Sequence, residues 1–94
     1  MSIESEAGII VKVKFHMFYT YVLRSTVDNN LYIGFTKDLK KRLLDHNYGS
    51  VASTAKRKPL ILIYYEACLS EEKAIRREKY FKSGFGRNFL KNRI

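Results

Sequence analysis

The sequence predicts a small domain of mixed α+β class, in which three strands and several helices occupy one compact chain. Three short stretches, at 18–23, 31–35 and 60–66, are rich in the aromatic and β-branched residues that strands favour. Two longer stretches have the spacing of amphipathic helices, and each begins at a helix-capping side chain. A chain of 94 residues has room for one domain of this kind.

The first sixteen residues differ from the rest of the chain. Their charges balance, and Met17 stands immediately before the first convincing strand. Chain termini without strong packing signals are commonly the least ordered parts of a domain. We therefore predict an N-terminal extension over 1–16 that is poorly ordered, followed by the folded domain over 17–94.

The three strands carry different patterns. The segment Val27–Asn30 has turn chemistry, so the strand over 31–35 should return antiparallel to the strand over 18–23. The run over 60–66 shows no polar alternation. This pattern predicts a strand that is buried on both faces and central in the sheet.

Three helices are expected. The first spans residues 38–46 and is capped at Asp38 or two residues earlier. The second spans 70–83 and ends because Gly84 follows it. A short third helix over 87–92 completes the chain.

The charge balance limits the class of partner. Eighteen Lys and Arg residues stand against nine Asp and Glu residues, which gives a formal net charge of +9. Such an excess suits a polyanion, either a nucleic acid or an anionic membrane surface, although an unspecialised basic surface also fits.

Composition also bears on the compartment. Cys68 is the single cysteine, so the chain has neither an intramolecular disulfide nor a cysteine zinc cluster. Cys68 is expected to be a small buried or half-buried hydrophobe. No apolar run approaches the roughly 18 residues that span a membrane, and no secretory signal pattern is present. A cytoplasmic protein that does not enter a membrane is expected.

Glu78 falls on the apolar line of the second helix, beside Ala74 and Phe81. A carboxylate in that position loses hydration unless another group compensates it. One interpretation is a salt bridge to Arg42 or to another basic group. The other is a divalent-metal ligand, because one carboxylate together with water and substrate phosphate is a common way to hold Mg²⁺.

Tyr21 and Tyr32 lie on strands that are expected to be neighbours. Their rings either pack across the strands, or their hydroxyls bind a phosphate and help to deprotonate a water. Gly34 removes a side chain from the end of its strand. Either the strand bends there, or a substrate or a neighbouring ring approaches closely.

Arg42 and His46 are four residues apart and therefore share one helix face. Each alone is compatible with a solvated surface group. Arg42 can also clamp a phosphate, and His46 can shuttle a proton. With two tyrosines and an inward glutamate they make up the set that a phosphodiester-cleaving site needs. Contacts to the substrate are expected from Gly34, Lys37, Lys41 and Arg77.

The order of these residues resembles the GIY-YIG nuclease family, and most closely its small single-domain bacterial members. Tyr19-Thr20-Tyr21 stands about ten residues before Tyr32-Ile33-Gly34, and Arg42, His46 and Glu78 follow. The second half of the family motif matches fully. The first half matches only at Tyr21, because tyrosine and threonine replace the family's glycine and isoleucine. The resemblance runs from Met17 to the C-terminus.

The resemblance implies a small three-stranded antiparallel sheet flanked by helices. It also implies a metal-dependent endonuclease that acts on DNA, in DNA repair or in the processing of branched DNA. A monomer or a weak dimer is expected. It implies that Tyr21 or Tyr32 helps to activate water and that Arg42 stabilises the pentacovalent phosphate. It further implies that Glu78 holds one Mg²⁺ or Mn²⁺ and that His46 occupies a basic or catalytic position. Either Asn88 or Asn92 would match a late asparagine of larger members.

A second function stays open on the sequence alone. A nucleic-acid-binding module of the same fold, with little or no cleavage of its own, predicts binding that weakens steeply with salt and does not depend on Glu78. A basic RNA-binding domain is a third possibility, for which charge is the only argument.

Overall fold

The computed structural model describes residues 2–4, 10–12 and 16–94. Near the N-terminus, strands β1 (Ser2–Glu4) and β2 (Ile10–Lys12) pair antiparallel, with Ile3 opposite Val11. The predicted poorly ordered extension over 1–16 falls partly on residues 1, 5–9 and 13–15, which lie outside the described residues. That boundary stays a prediction.

The main body is one sheet with three helices. Its strands are β3 (Phe18–Ser25), β4 (Leu31–Thr36) and β5 (Leu60–Cys68), arranged in the order β4-β3-β5 with both pairs antiparallel. The helices are α1 (Leu39–Tyr48), α2 (Glu71–Phe81) and α3 (Gly84–Lys91). The predicted α+β class, a three-stranded antiparallel sheet flanked by helices, is confirmed.

The central strand is β3, and the prediction that the run over 60–66 is central is wrong. Strand β5 lies at an edge, and Ile61 and Tyr65 on it are about half exposed, at 53% and 52%. The burial of β3 is not evident from its sequence, because two of its buried side chains are polar. Thr20 and Ser25 are fully buried because their hydroxyls donate to main-chain carbonyls, at 2.7 and 2.6 Å.

The sheet separates two apolar cores. On one face, helix α1 covers Tyr21, Leu23 and Leu60. On the other face, α2 and α3 enclose Val22 with Phe81 and Leu90. Successive residues of a strand point to opposite faces. Thus Tyr21 belongs to the α1 face, while its neighbours Thr20 and Val22 face α2.

The predicted cap at Asp38 is confirmed, and the predicted stop at Gly84 is wrong. The Asp38 side chain accepts the Lys41 N–H at 3.1 Å at the start of α1, and Gly49, with φ of 81°, ends that helix. Gly84, however, does not stop α2. It is the first residue of α3, because Ser83 caps a new helix by accepting the Gly86 N–H at 3.2 Å.

Among the helices of the described ranges, none has the length and apolar content that crossing a membrane requires.

Candidate active site

A buried hydrogen-bonded cluster joins β3 to α1. Tyr21 is only 1% exposed, and its hydroxyl oxygen lies 2.8 Å from Nε2 of His46. Nε of Arg42 donates to the same oxygen at 3.3 Å. Arg42 and His46 share one helix face because they are four residues apart. Both therefore contact the hydroxyl of Tyr21.

The cluster extends to a threonine that the sequence analysis missed. His46 is completely buried, and its Nδ1 lies 2.7 Å from the hydroxyl oxygen of Thr54, which is buried as well. The same hydroxyl lies 3.4 Å from the carbonyl oxygen of Val51. Thr54 stands in a loop of small residues without periodicity, so no local pattern in the sequence marks it.

Tyr32 packs against the cluster from the neighbouring strand. Strands β3 and β4 are paired, as predicted, and Tyr32 is opposite Leu23 in the register. The Tyr32 ring meets the His46 ring edge-on at 4.9 Å between centroids, and it lies 6.3 Å from the Tyr21 ring. Unlike Tyr21, Tyr32 is partly exposed.

Gly34 lies directly opposite Tyr21 in the register. A Cβ at this position would stand 2.4 Å from both Cζ and the hydroxyl oxygen of Tyr21. Of the two explanations for this glycine, the structure therefore supports the close approach of a neighbouring ring. The Tyr21 ring occupies the space beside Gly34, and the predicted substrate contact at this glycine stays a prediction.

Arg42 also lines an open groove at the start of α1. The groove is formed by Phe35, Thr36, Lys37, Asp38, Lys41, Arg42 and Asp45. The side chains of Lys37 and Lys41 are 69% and 74% exposed, and each forms one ion pair, with Glu71 at 3.8 Å and with Asp45 at 3.4 Å. Exposed ion pairs of this kind are weak, so both amines can exchange a carboxylate for a phosphate.

Burial and Arg42 set the charge state of the cluster. Burial raises the pKa of the Tyr21 phenol, although the hydrogen bond from Arg42 opposes the rise. Burial and the nearby Arg42 charge lower the pKa of His46, against a smaller opposite effect of Asp45. The hydrogen bond to Tyr21 raises the pKa of Arg42. At neutral pH the cluster therefore combines a neutral phenol, a neutral imidazole and a guanidinium cation.

Glu78 lies on α2, one turn beyond Ala74, whose carbonyl accepts the Thr20 hydroxyl. Its Oε1 accepts from Nζ of Lys82 at 2.8 Å, and its side chain is 24% exposed. The hydrogen bonds of the described residues do not join it to the tyrosines, arginine and histidine of the cluster. Its charge nevertheless adds to the rise in the pKa of Tyr21, so the carboxylate lies within electrostatic reach.

The structure bears on both interpretations of Glu78, the salt bridge and the metal ligand. A salt bridge exists, but with Lys82 rather than with Arg42. Residues 16–94 and the two short N-terminal strands contain no group of three His, Cys, Asp or Glu side chains that could hold a metal ion. A single, partly exposed carboxylate still fits Mg²⁺, which keeps several waters and takes other ligands from a substrate phosphate.

Arg77, predicted to contact the substrate, belongs to a different cluster. Its Nε and Nη2 donate to the two carboxylate oxygens of Glu66, both at 2.8 Å. Its guanidinium lies over the rings of Tyr80, Phe81 and Phe89 at 4.6 to 5.0 Å. The predicted phosphate contact would have to displace this pair.

Of the two late asparagines, Asn88 lies within α3 and Asn92 caps its C-terminal end. Asn88 is exposed, and the Asn92 side chain donates to the Asn88 carbonyl at 3.4 Å. Neither is hydrogen-bonded to the tyrosine–histidine cluster in the described part of the chain.

Fold and site together define a small α+β domain that holds a tyrosine–histidine–arginine cluster beside an open groove lined by three basic and two acidic side chains. The GIY-YIG catalytic domain model matches residues 17–92, and the chain therefore belongs to the GIY-YIG family, a family of nucleases.

Similar proteins agree with this assignment. A UPF0213 protein of Streptococcus pyogenes serotype M3 is 51% identical over 65 residues, which cover 68% of this chain and 70% of the relative. A UPF0213 protein of Bacillus pumilus is 42% identical over 69 residues, 72% of this chain and 69% of the relative. The solution NMR structure of the UPF0213 protein BH0048 from Bacillus halodurans has a TM-score of 0.52 at 30% identity, and the match covers 81% of this chain and 83% of that one.

Proposed function

We propose that this protein is a divalent-metal-dependent endonuclease that hydrolyses phosphodiester bonds in DNA. The observation that carries the proposal is the contact of one phenol, Tyr21, with both a proton acceptor, His46, and a cation, Arg42, which also lines the open groove. Membership of a nuclease family and the formal charge of +9 support a DNA substrate.

In this proposal Tyr21 relays a proton. The attacking water gives a proton to the Tyr21 oxygen, while the phenol gives its own proton to Nε2 of His46, 2.8 Å away. The low pKa of His46 keeps the imidazole neutral and therefore able to accept. Tyr32 is partly exposed and packs on His46, so its hydroxyl is the second candidate for activating the water.

Arg42 stabilises the negative charge that develops on the pentacovalent phosphate. It forms no salt bridge within the described ranges, so its charge is not already compensated by a carboxylate. A fixed cation aimed at developing charge is among the largest contributions to catalysis. Lys37 and Lys41 bind the flanking phosphates along the groove.

Glu78 would hold one Mg²⁺ or Mn²⁺. When bound, such an ion neutralises the scissile phosphate and the leaving oxygen. Glu78 would exchange Lys82 for the ion, and an ion pair between residues four apart on a helix is weak enough to permit this. Preference for flapped or branched DNA would support a role in DNA repair.

The test is cleavage of a supercoiled plasmid, a 5′-flap and a four-way junction with Mg²⁺ or Mn²⁺. Glu78→Gln keeps the side-chain shape and removes the charge, and we expect cleavage to fall by about 100-fold or more. Glu72→Gln is the matched control, because Glu72 is an exposed carboxylate on the same helix that pairs with Arg76 four residues away. The control should cleave like the wild type.

Two outcomes would contradict the proposal. If the wild type cleaves none of these substrates with either ion, yet binds DNA with an affinity that falls steeply with salt, the chain is a binding module. If Glu78→Gln cleaves as well as Glu72→Gln, the assignment of the metal to Glu78 is wrong.

A further inference from the structure

We propose that Thr54 is a positioning residue that fixes the tautomer of His46, so that Nε2 is free to accept the proton of Tyr21. The inference rests on the proposed role of His46 as the proton acceptor. Thr54 itself does not touch the substrate, because it is completely buried behind the imidazole.

The hydrogen bonds of the cluster run in one direction. Nε of Arg42 donates to the Tyr21 oxygen, so the Tyr21 hydroxyl hydrogen must find another acceptor, and Nε2 of His46 lies 2.8 Å away. The remaining proton of the neutral imidazole is then on Nδ1, which donates to Thr54 at 2.7 Å. The Thr54 hydroxyl in turn donates to the carbonyl of Val51 at 3.4 Å.

The opposite tautomer leaves one hydrogen without a partner. With the proton on Nε2, both His46 and Arg42 would donate to the Tyr21 oxygen, and Thr54 would donate to Nδ1. The Tyr21 hydroxyl hydrogen would then have no acceptor in the described part of the chain. An unsatisfied buried polar group is destabilising, so the first arrangement is favoured.

Several contacts keep Thr54 in place. Its N–H donates to the Val51 carbonyl at 3.0 Å, and its carbonyl accepts from the Arg57 N–H at 2.9 Å. The Arg57 carbonyl accepts the Ser25 hydroxyl at 2.6 Å, and the Arg57 guanidinium binds Asp28 at 2.7 Å. The loop is thereby attached to the end of β3 and to the turn after it, and β3 also carries Tyr21.

Two substitutions separate the hydroxyl from the shape of the residue. Thr54→Val keeps the volume and removes the hydroxyl, so Nδ1–H loses its acceptor. Each tautomer then leaves one hydrogen unpaired, and the Nε2–H form should become populated. Thr54→Ser keeps the hydroxyl and should behave like the wild type.

The tautomer can be measured without DNA or metal by ¹⁵N NMR of the imidazole. His16→Gln is used as the background, because His16 is the other of the two histidines and is exposed. We expect the Nδ1–H form in the background protein and in Thr54→Ser, and a mixture of the Nδ1–H and Nε2–H forms in Thr54→Val. In cleavage assays, Thr54→Val should lower kcat in proportion to the Nε2–H population with KM nearly unchanged, since only the Nδ1–H form can accept the proton of Tyr21.

The tautomer measurement and the cleavage assay test different parts of the inference. An Nε2–H tautomer in the background protein would overturn the inference whatever the protein cleaves, and it would do so even if Thr54→Val did not fold. An unchanged kcat in a folded Thr54→Val would overturn the positioning role. A correct tautomer in a protein that cleaves no DNA would instead contradict the proposed function and leave the assignment of the hydrogen bonds intact.

Discussion

The two faces of the sheet each carry a tyrosine and an arginine, in different arrangements. On the α1 face, Arg42 donates to the Tyr21 phenol directly. On the α2 and α3 face, Glu66 stands between the two residue types, accepting from Tyr64 at 3.0 Å and from Arg77 twice at 2.8 Å.

This one carboxylate makes the difference between the faces. Arg77 lowers the pKa of Glu66, and the resulting bidentate pair satisfies the fork of the guanidinium. Arg42 has a neutral phenol in the corresponding place, so its charge remains available to an anion that arrives from the groove. The same residue types therefore form a structural pair on one face and a candidate phosphate site on the other.

The largest expected contrast comes from replacing each arginine by lysine, which keeps the charge and loses the planar fork. Arg42→Lys should reduce plasmid nicking by about 100-fold, because a positioned donor to the developing charge is lost. Arg77→Lys should instead lower the free energy of unfolding by about 1–3 kcal/mol, because the charged two-point hydrogen bond to Glu66 is lost. Nicking rates and urea unfolding of both variants measure the contrast.

Reduced nicking in folded Arg77→Lys, with Arg42→Lys unaffected, would reverse the assignment of the two faces and restore Arg77 as a substrate contact.

A smaller effect is expected at two glycines, one for each face. In Gly34→Ala the new methyl meets the Tyr21 ring, which must move away from His46, so nicking should fall and stability should decrease by about 1–3 kcal/mol. In Gly86→Ala the methyl meets the Tyr80 carbonyl, which should reduce stability and leave the kcat of the folded protein unchanged. Gly84→Ala, with no atom within 4 Å of the new Cβ, is the control.

Equal kcat losses in Gly34→Ala and Gly86→Ala would show that activity follows general stability and not the position of the tyrosine.

The smallest effect concerns the anchor of the Thr54 loop. The hydrogen bond from Arg57 lowers the pKa of Asp28 from 3.8 to about 2. A lowered folded-state pKa gives stability that is complete above the unfolded value and is lost as the pH falls from about 4 toward 2. Melting temperatures over this range should fall less steeply in Asp28→Asn than in the wild type. Parallel profiles for the two proteins would contradict this anchor.

Much of the fold could be predicted from the sequence because its elements have local signals. Capping at Asp38 and Ser70, the turn before β4 and the left-handed glycine after α1 each depend on neighbouring residues. The central strand could not be identified, because the burial of Thr20 depends on a carbonyl of α2, 54 residues away. The prediction that Gly84 stops α2 was wrong for a related reason. Ser83, the residue before it, caps a new helix that begins at Gly84.

The site was predictable where spacing determines proximity. Arg42 and His46 share a face by helix geometry, and pairing of neighbouring strands brings Tyr32 near Tyr21. Thr54 and the partner of Arg77 could not be predicted in this way. Both depend on how a loop or an edge strand packs against a helix, and a sequence pattern carries no distance for such contacts.

The hydrogen-bonded series in the site ends on the main-chain carbonyl of Val51. Every other member is a side chain that a mutation can replace, but the carbonyl stays whichever residue occupies position 51. The direction of the hydrogen bond from Nδ1 of His46 to Thr54 would thus depend on the path of the backbone. Descendants of this sequence could exchange Thr54 for another hydroxyl residue and keep that direction, whereas an altered loop conformation would remove it without any change in the side chains of the site.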